Sequence, residues 1–157
     1  MSRTIHWASL AIAATMIASV AAAKPQAPGD ACSLLTKEDA TATLGEPATG
    51  PKATAAMSDG AGGTVSGCEY TGSGVHSVRL TLTRVPASSV PMYQGICAQK
   101  GKDGLAGLGD VACWHDAKHA ELNVIKGAAV VSIELRRSGN PTEPIKALMK
   151  KALAKFK

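Results

Sequence analysis

Aromatic side chains are scarce in this chain. Beyond Trp7, only Tyr70, Tyr93, Trp114 and Phe156 are present. Proteins that hold single-stranded nucleic acid usually supply several rings for bases to stack on, so nucleic acid is not expected as a partner. Familiar catalytic signatures are also missing. No G-x-S-x-G elbow presents a nucleophilic serine, and no C-x-x-C pair offers redox chemistry. The glycine-spaced stretch 101–109 lacks the Lys-Ser/Thr of a phosphate loop. It also leads into an expected strand, not into a helix N-terminus that could receive an anion. Past residue 23, no stretch is apolar enough to span a bilayer.

What the chain does have at its start is an export signal. Arg3 gives a positive beginning, Trp7 to Val20 is a short apolar run, and Ala21-Ala22-Ala23 is a small-residue cleavage site. The expected organisation is a signal peptide over 1–23, a flexible lead-in over 24–31, and a single domain over 32–157. No cysteine follows the apolar run directly and Cys32 lies too far downstream, so no lipid anchor is expected. Without Arg3, sixteen Lys and Arg stand against twelve Asp and Glu, a net charge of +4. Much of that surplus falls in the last helix, which does not describe a broad nucleic-acid surface.

Cys32, Cys68, Cys97 and Cys113 are an even set in a small exported domain, which reads as two disulfides. Three pairings are possible. The sequential one, Cys32–Cys68 with Cys97–Cys113, is preferred because each bridge would tie a helix or its leading segment to a strand.

Local signals divide the rest. Thr36 is a good N-cap with Asp39 three residues on, and Gly45 and Pro47 end that helix after Leu44. Residues 46–64, rich in Gly, Ala, Pro, Ser and Thr, read as a loop. Val65–Thr71 reads as a strand, and Ser77–Val85 as another with Val78, Leu80 and Leu82 inward. A short helix lies within Pro86–Lys100, with Tyr93, Ile96 and Cys97 on one side. Asn140-Pro141-Thr142-Glu143 opens the last helix. Ile145, Leu148, Met149, Ala152, Leu153 and Phe156 fall on one side of it at helical spacing.

Val111 to Arg137 carries the strongest pattern, three antiparallel strands joined by tight turns. If Lys126-Gly127 is a two-residue turn, Val124 faces Ala129, Leu122 faces Val131 and Ala120 faces Ile133, all on one side. If Ala117-Lys118 is the preceding turn, Cys113 faces Leu122 and Val111 faces Val124 on that same side, and Trp114 faces Glu121 outside. The expected fold is therefore α+β, a five-stranded antiparallel sheet in the order helix-strand-strand-helix-strand-strand-strand-helix. Its helices pack on one face, and the other face is more polar.

The segments Asp30-x-Cys32 with C-S-L-L-T, Cys68-x-Tyr70, and Gly107 to Asp110 (G-L-G-D) together look familiar. The chain resembles a group of small exported bacterial proteins and lipoproteins of unknown function, best known from actinobacteria. The resemblance spans most of the residues after the leader and implies an extracytoplasmic α+β domain whose first two cysteines are bridged. It implies no catalytic residues. The chain departs from the group in lacking a lipobox, and Cys97 and Cys113 are an added pair.

Candidate chemistry is thin. Cys113, His115 and His119 invite a metal reading, with Asp116 near. On a helix, residues four apart would share a face, but here His115 and His119 flank an expected turn. No metal, cofactor or enzyme activity is expected. The expected function is binding by an exported, periplasmic or extracellular domain through its outer sheet face or loops, with Trp114, Glu121, Asn123, Val130 and Glu134 lining that face. The partner would be a protein or small molecule. Two alternatives remain: an envelope-surface protein using Lys150, Lys151 and Lys155 for peripheral contact with anionic membrane, and a cryptic metal-dependent hydrolase.

Overall fold

The computed structural model describes residues 30–156. The expected signal peptide and residues 24–29 of the lead-in lie outside the described residues. Thr36 and Gly45 bound the first full helix as expected. The Thr36 hydroxyl accepts from the Asp39 amide, and Gly45, at φ 76°, returns its N–H to Thr41. This helix, α2 (Lys37–Leu44), follows a single turn, α1 (Ala31–Leu34), which is capped by the Asp30 side chain. Six strands then build one sheet: β1 (Thr49–Ser58), β2 (Thr64–Thr71), β3 (Ser77–Arg84), β4 (Val111–Trp114), β5 (Glu121–Lys126) and β6 (Ala129–Arg136). Helix α3 (Val90–Ala98) lies between β3 and β4, and α4 (Thr142–Lys155) closes the chain. Neighbours in the sheet run β1-β2-β3-β6-β5-β4, all antiparallel.

The class is therefore the expected one, α+β with an antiparallel sheet and both disulfides, Cys32–Cys68 and Cys97–Cys113. The strand count corrects the sequence reading: there are six, not five, because part of the expected loop 46–64 is β1. All ten of its residues are exposed. A strand that buries neither face carries no hydrophobic alternation, and T-G-P-K-A-T-A-A-M-S shows none. It pairs with β2 along one side only, its register broken twice. Pro51, lacking an N–H, is tolerated on such an edge, and the irregularities blunt it against further pairing.

The inner face of the sheet carries Cys68, Tyr70, Val78, Leu80, Leu82, Trp114, Leu122, Val124, Val131, Ile133 and Leu135, buried beneath α1, α2 and α4. Helix α4 contributes Ile145, Leu148, Met149, Ala152 and Leu153, the stripe expected from its spacing. The G-L-G-D segment is built into this core. Leu105 and Leu108 are buried. Gly109 lies so close to β5 that a Cβ would meet the Val124 side chain and, at 2.6 Å, the Ile125 carbonyl oxygen. Asp110 takes the Gly127 amide at 2.7 Å, fixing the β5–β6 turn.

The helices do not all pack on one face, a second correction. Helix α3 covers the opposite, outer face at the β4–β5–β6 end. Cys97, Cys113, Ile125 and Val130 form a separate buried cluster there, with Val90, Tyr93 and Val111 against it. Ile96, expected to share that side, is half exposed.

The register of the meander is the third correction. In β5–β6 the inward set stands, but Val124 faces Val131 and Leu122 faces Ile133. The turn is Gly127-Ala128, which shifts the partners by two residues and so keeps each side chain on its face. In β4–β5 the shift is one residue, and faces invert. Ala112 faces Val124, Trp114 faces Leu122, and Cys113 faces Asn123. The connection spans residues 115–120 instead of two. Asp116 accepts from the Lys118 and Ala120 amides, and His119 adopts φ 55°. The outcome buries the large indole and puts the Cys113 sulfur where α3 can reach it.

Candidate functional site

The outer face is the site the sequence pointed to. Across it, paired residues fall into rows perpendicular to the strands. One row is charged: Lys52, Glu69, Arg79, Glu134 and Glu121, from β1 to β5 in sheet order. The Arg79 guanidinium reaches both Glu69 oxygens at 3.1 Å and Glu134 at 3.9 Å, while Arg136 holds Glu134 at 2.8 Å. Glu121 and Glu134 stand directly opposite, a repulsive pairing. His115 Nδ1 lies 3.9 Å from Glu121. The next row is small and polar: Thr54, Gly67, Thr81, Ser132 and Asn123. Ser132 donates to the Asn123 side-chain oxygen.

Of the five residues expected to line this face, Glu121, Asn123 and Glu134 do so and are partly exposed. Trp114 does not. It is 2% exposed on the inner face, stacked on His119 with ring centroids 4.5 Å apart, and its Nε1 donates to the Asp103 carbonyl. Val130 is on the outer face but lies under α3, 8% exposed. The recess on this face lies elsewhere. A cavity of about 340 Å³ opens over β1–β3, lined chiefly by Lys52, Thr54, Glu69, Arg79 and Thr81. Gly67 forms its floor, with no side chain to fill it. The sequence reading missed Lys52 and Thr54 because β1 was not seen as a strand. The cleaner signal was Gly67 within a strand pattern, which marks a close approach or a recess.

The other candidates separate in space. His119 turns inward to stack on Trp114 and His115 pairs with Glu121, while Cys113 is oxidised. Among the described residues no group of three or more His, Cys, Asp or Glu side chains could hold a metal, and no free cysteine is present. The lysines of α4 are partly engaged. Lys151 and Lys155 reach the two Asp39 oxygens at 3.1 and 2.7 Å, and Lys146 pairs with Glu143. Burial raises the Asp39 carboxyl, but hydrogen bonds from Lys155, Lys151 and Thr36 outweigh it and hold the group at about 2. Among the described residues no helix is long and apolar enough to cross a membrane.

One arrangement was invisible in the sequence. Glu46 follows α2, His76 closes the β2–β3 turn, and Ser138 follows β6. His76 Nδ1 lies 2.8 Å from Glu46 Oε1, and its Nε2 lies 3.3 Å from the Ser138 hydroxyl. That is the connectivity of a serine–histidine–carboxylate relay. Glu46 also accepts from the Ser73 hydroxyl at 2.6 Å and the Ser73 amide at 2.9 Å. The Ser73 hydroxyl and amide, then His76, draw the Glu46 carboxyl down to about 2. The string thus staples three segments that are distant in the chain. No family model matches this chain, and no curated protein or solved structure matches it either.

Proposed function

We propose that this chain is an exported, non-enzymatic binding module whose partner docks on the uncovered β1–β3 part of the outer sheet face. One observation carries the reading: α3 protects the outer face only at its β4–β5–β6 end, and the remainder holds a recess ringed by charged and hydroxyl side chains. The partner is polar. Lys52, Glu69, Arg79, Thr54 and Thr81 offer donors and acceptors at strand spacing and little apolar area. Two disulfides are compatible with export, since such bonds persist in oxidising compartments.

Two experiments test this. Intact mass of the protein recovered from its host, with and without reductant, should show a chain starting at Lys24 that carries two bridges; a full-length reduced chain would sink the export claim. Amine cross-linking in the host envelope should then join partners through Lys52, and the adducts should vanish in Arg79→Glu. Adducts confined to Lys150, on the exposed side of α4, would move the docking surface to the basic helix instead.

The Glu46–His76–Ser138 string supports a second reading, acyl hydrolysis with Ser138 as nucleophile. A fluorophosphonate probe decides between them. No adduct is expected on the purified protein, and a stoichiometric adduct on Ser138 that is lost in His76→Ala would replace the first reading with the second.

A further inference from the structure

A second cavity, of about 500 Å³, lies between the β2–β3 turn and the exit of β6. Its lining divides by chemistry. Val75, Ala120 and Pro141 give an apolar surface, with the buried Leu135 behind it, while Lys118, Arg136, Arg137 and His76 stand around it. No Asp or Glu lines it.

The charges there are incompletely met. Arg136 is held by Glu134. Arg137 donates to two carbonyl oxygens, those of Thr43 at 2.6 Å and Ser138 at 3.2 Å. Among the described residues neither Arg137 nor Lys118 has a carboxylate partner. Glu46 is the nearest acid to His76 and is occupied by it and by Ser73. At the lip, Val75 is 84% exposed, an apolar side chain that contributes nothing to the core.

We infer that this cavity binds a small amphiphilic anion. The apolar part lies against Val75, Ala120 and Pro141, and the anionic head meets Lys118 and Arg137, with Arg136 beside them. Charge complementarity sets the sign of the head, because Lys118 and Arg137, two cations without a carboxylate partner among the described residues, favour an anion and repel a cation. The apolar lining with a few convergent polar groups is the usual composition of a small-molecule site. The Glu46–His76–Ser138 string fixes one wall of the cavity, so the site is held before ligand arrives. The inference is independent of docking on the outer face.

The test is a titration of the isotope-labelled mature protein by amide NMR with octanoate, octan-1-ol and octylamine. Octanoate should move the amides of Val75, Ala120, Leu135 and Gly139, and octylamine should not bind. Lys118→Ala should weaken octanoate roughly fivefold, the upper size of an exposed charge pair, and leave octan-1-ol unchanged. Val75→Asp, at an exposed position the fold does not use, should abolish octanoate binding. Octan-1-ol or octylamine binding as tightly as octanoate, shifts scattered outside the cavity, or octanoate affinity unaltered in both variants would overturn the inference.

Discussion

Asp39 offers a stringent test of how the fold is held. Its carboxylate sits on α2 and receives Lys151 and Lys155 from α4, joining two of the helices that cover the inner face. In the unfolded chain it titrates near 3.8, and in the fold near 2. A carboxyl whose folded value is depressed adds stability above its unfolded value, and that stability is lost as pH falls through the folded value. Each unit is worth about 1.4 kcal/mol, which sets a ceiling of roughly 2.5 kcal/mol. Lys151 is 57% exposed and Lys155 36%, so solvent screening brings the expected contribution to about 1 kcal/mol. Asp39→Asn keeps the size and one acceptor oxygen but removes the charge. Urea unfolding of both proteins between pH 2 and pH 7 should show the variant about 1 kcal/mol less stable from pH 5 to 7, with the gap closing from pH 4 towards pH 2. High salt should shrink the gap at pH 7. Equal stability at pH 7, or a gap that persists unchanged at pH 2, would refute the argument.

Three further outcomes are expected. Gly109→Ala should cost several kcal/mol or prevent folding, since a Cβ there collides with β5 and the residue is held at φ 60°; thermal unfolding measures it, and a variant of unchanged Tm would show that the loop yields. Trp114 is the only tryptophan after the expected leader, so the mature protein should emit at short wavelength and resist iodide quenching, and readily quenched, red-shifted emission would return the indole to the outer face. Replacing Cys97 and Cys113 together by Ala should cost about 3 kcal/mol on the chain-entropy argument for a loop of this length, read from urea midpoints, with α3 exchanging its amides faster while α4 stays protected.

Much of this protein was legible from local rules. The caps at Thr36 and Gly45, the inward stripe Val78-Leu80-Leu82 and the stripe along α4 are each written within a few residues of where they act. Such signals depend on backbone stereochemistry and on the period of burial, which a short segment carries alone. The facing of Trp114 is different. Alternation gives two sets of residues on β4 but not which set is inside, and the six-residue connection 115–120, with Asp116 bonded across it, inverts them. Strand β1 was hidden for the opposite reason: it buries nothing, so its pairing with β2 left no periodicity to read. The outer recess and the cavity beside His76 each gather residues from three or more segments. Sequence determined most of the elements, β1 apart, because their causes are local. Tertiary structure alone decided the sites, because charge and shape there are sums over segments that meet only when the sheet closes and its helices divide between two faces.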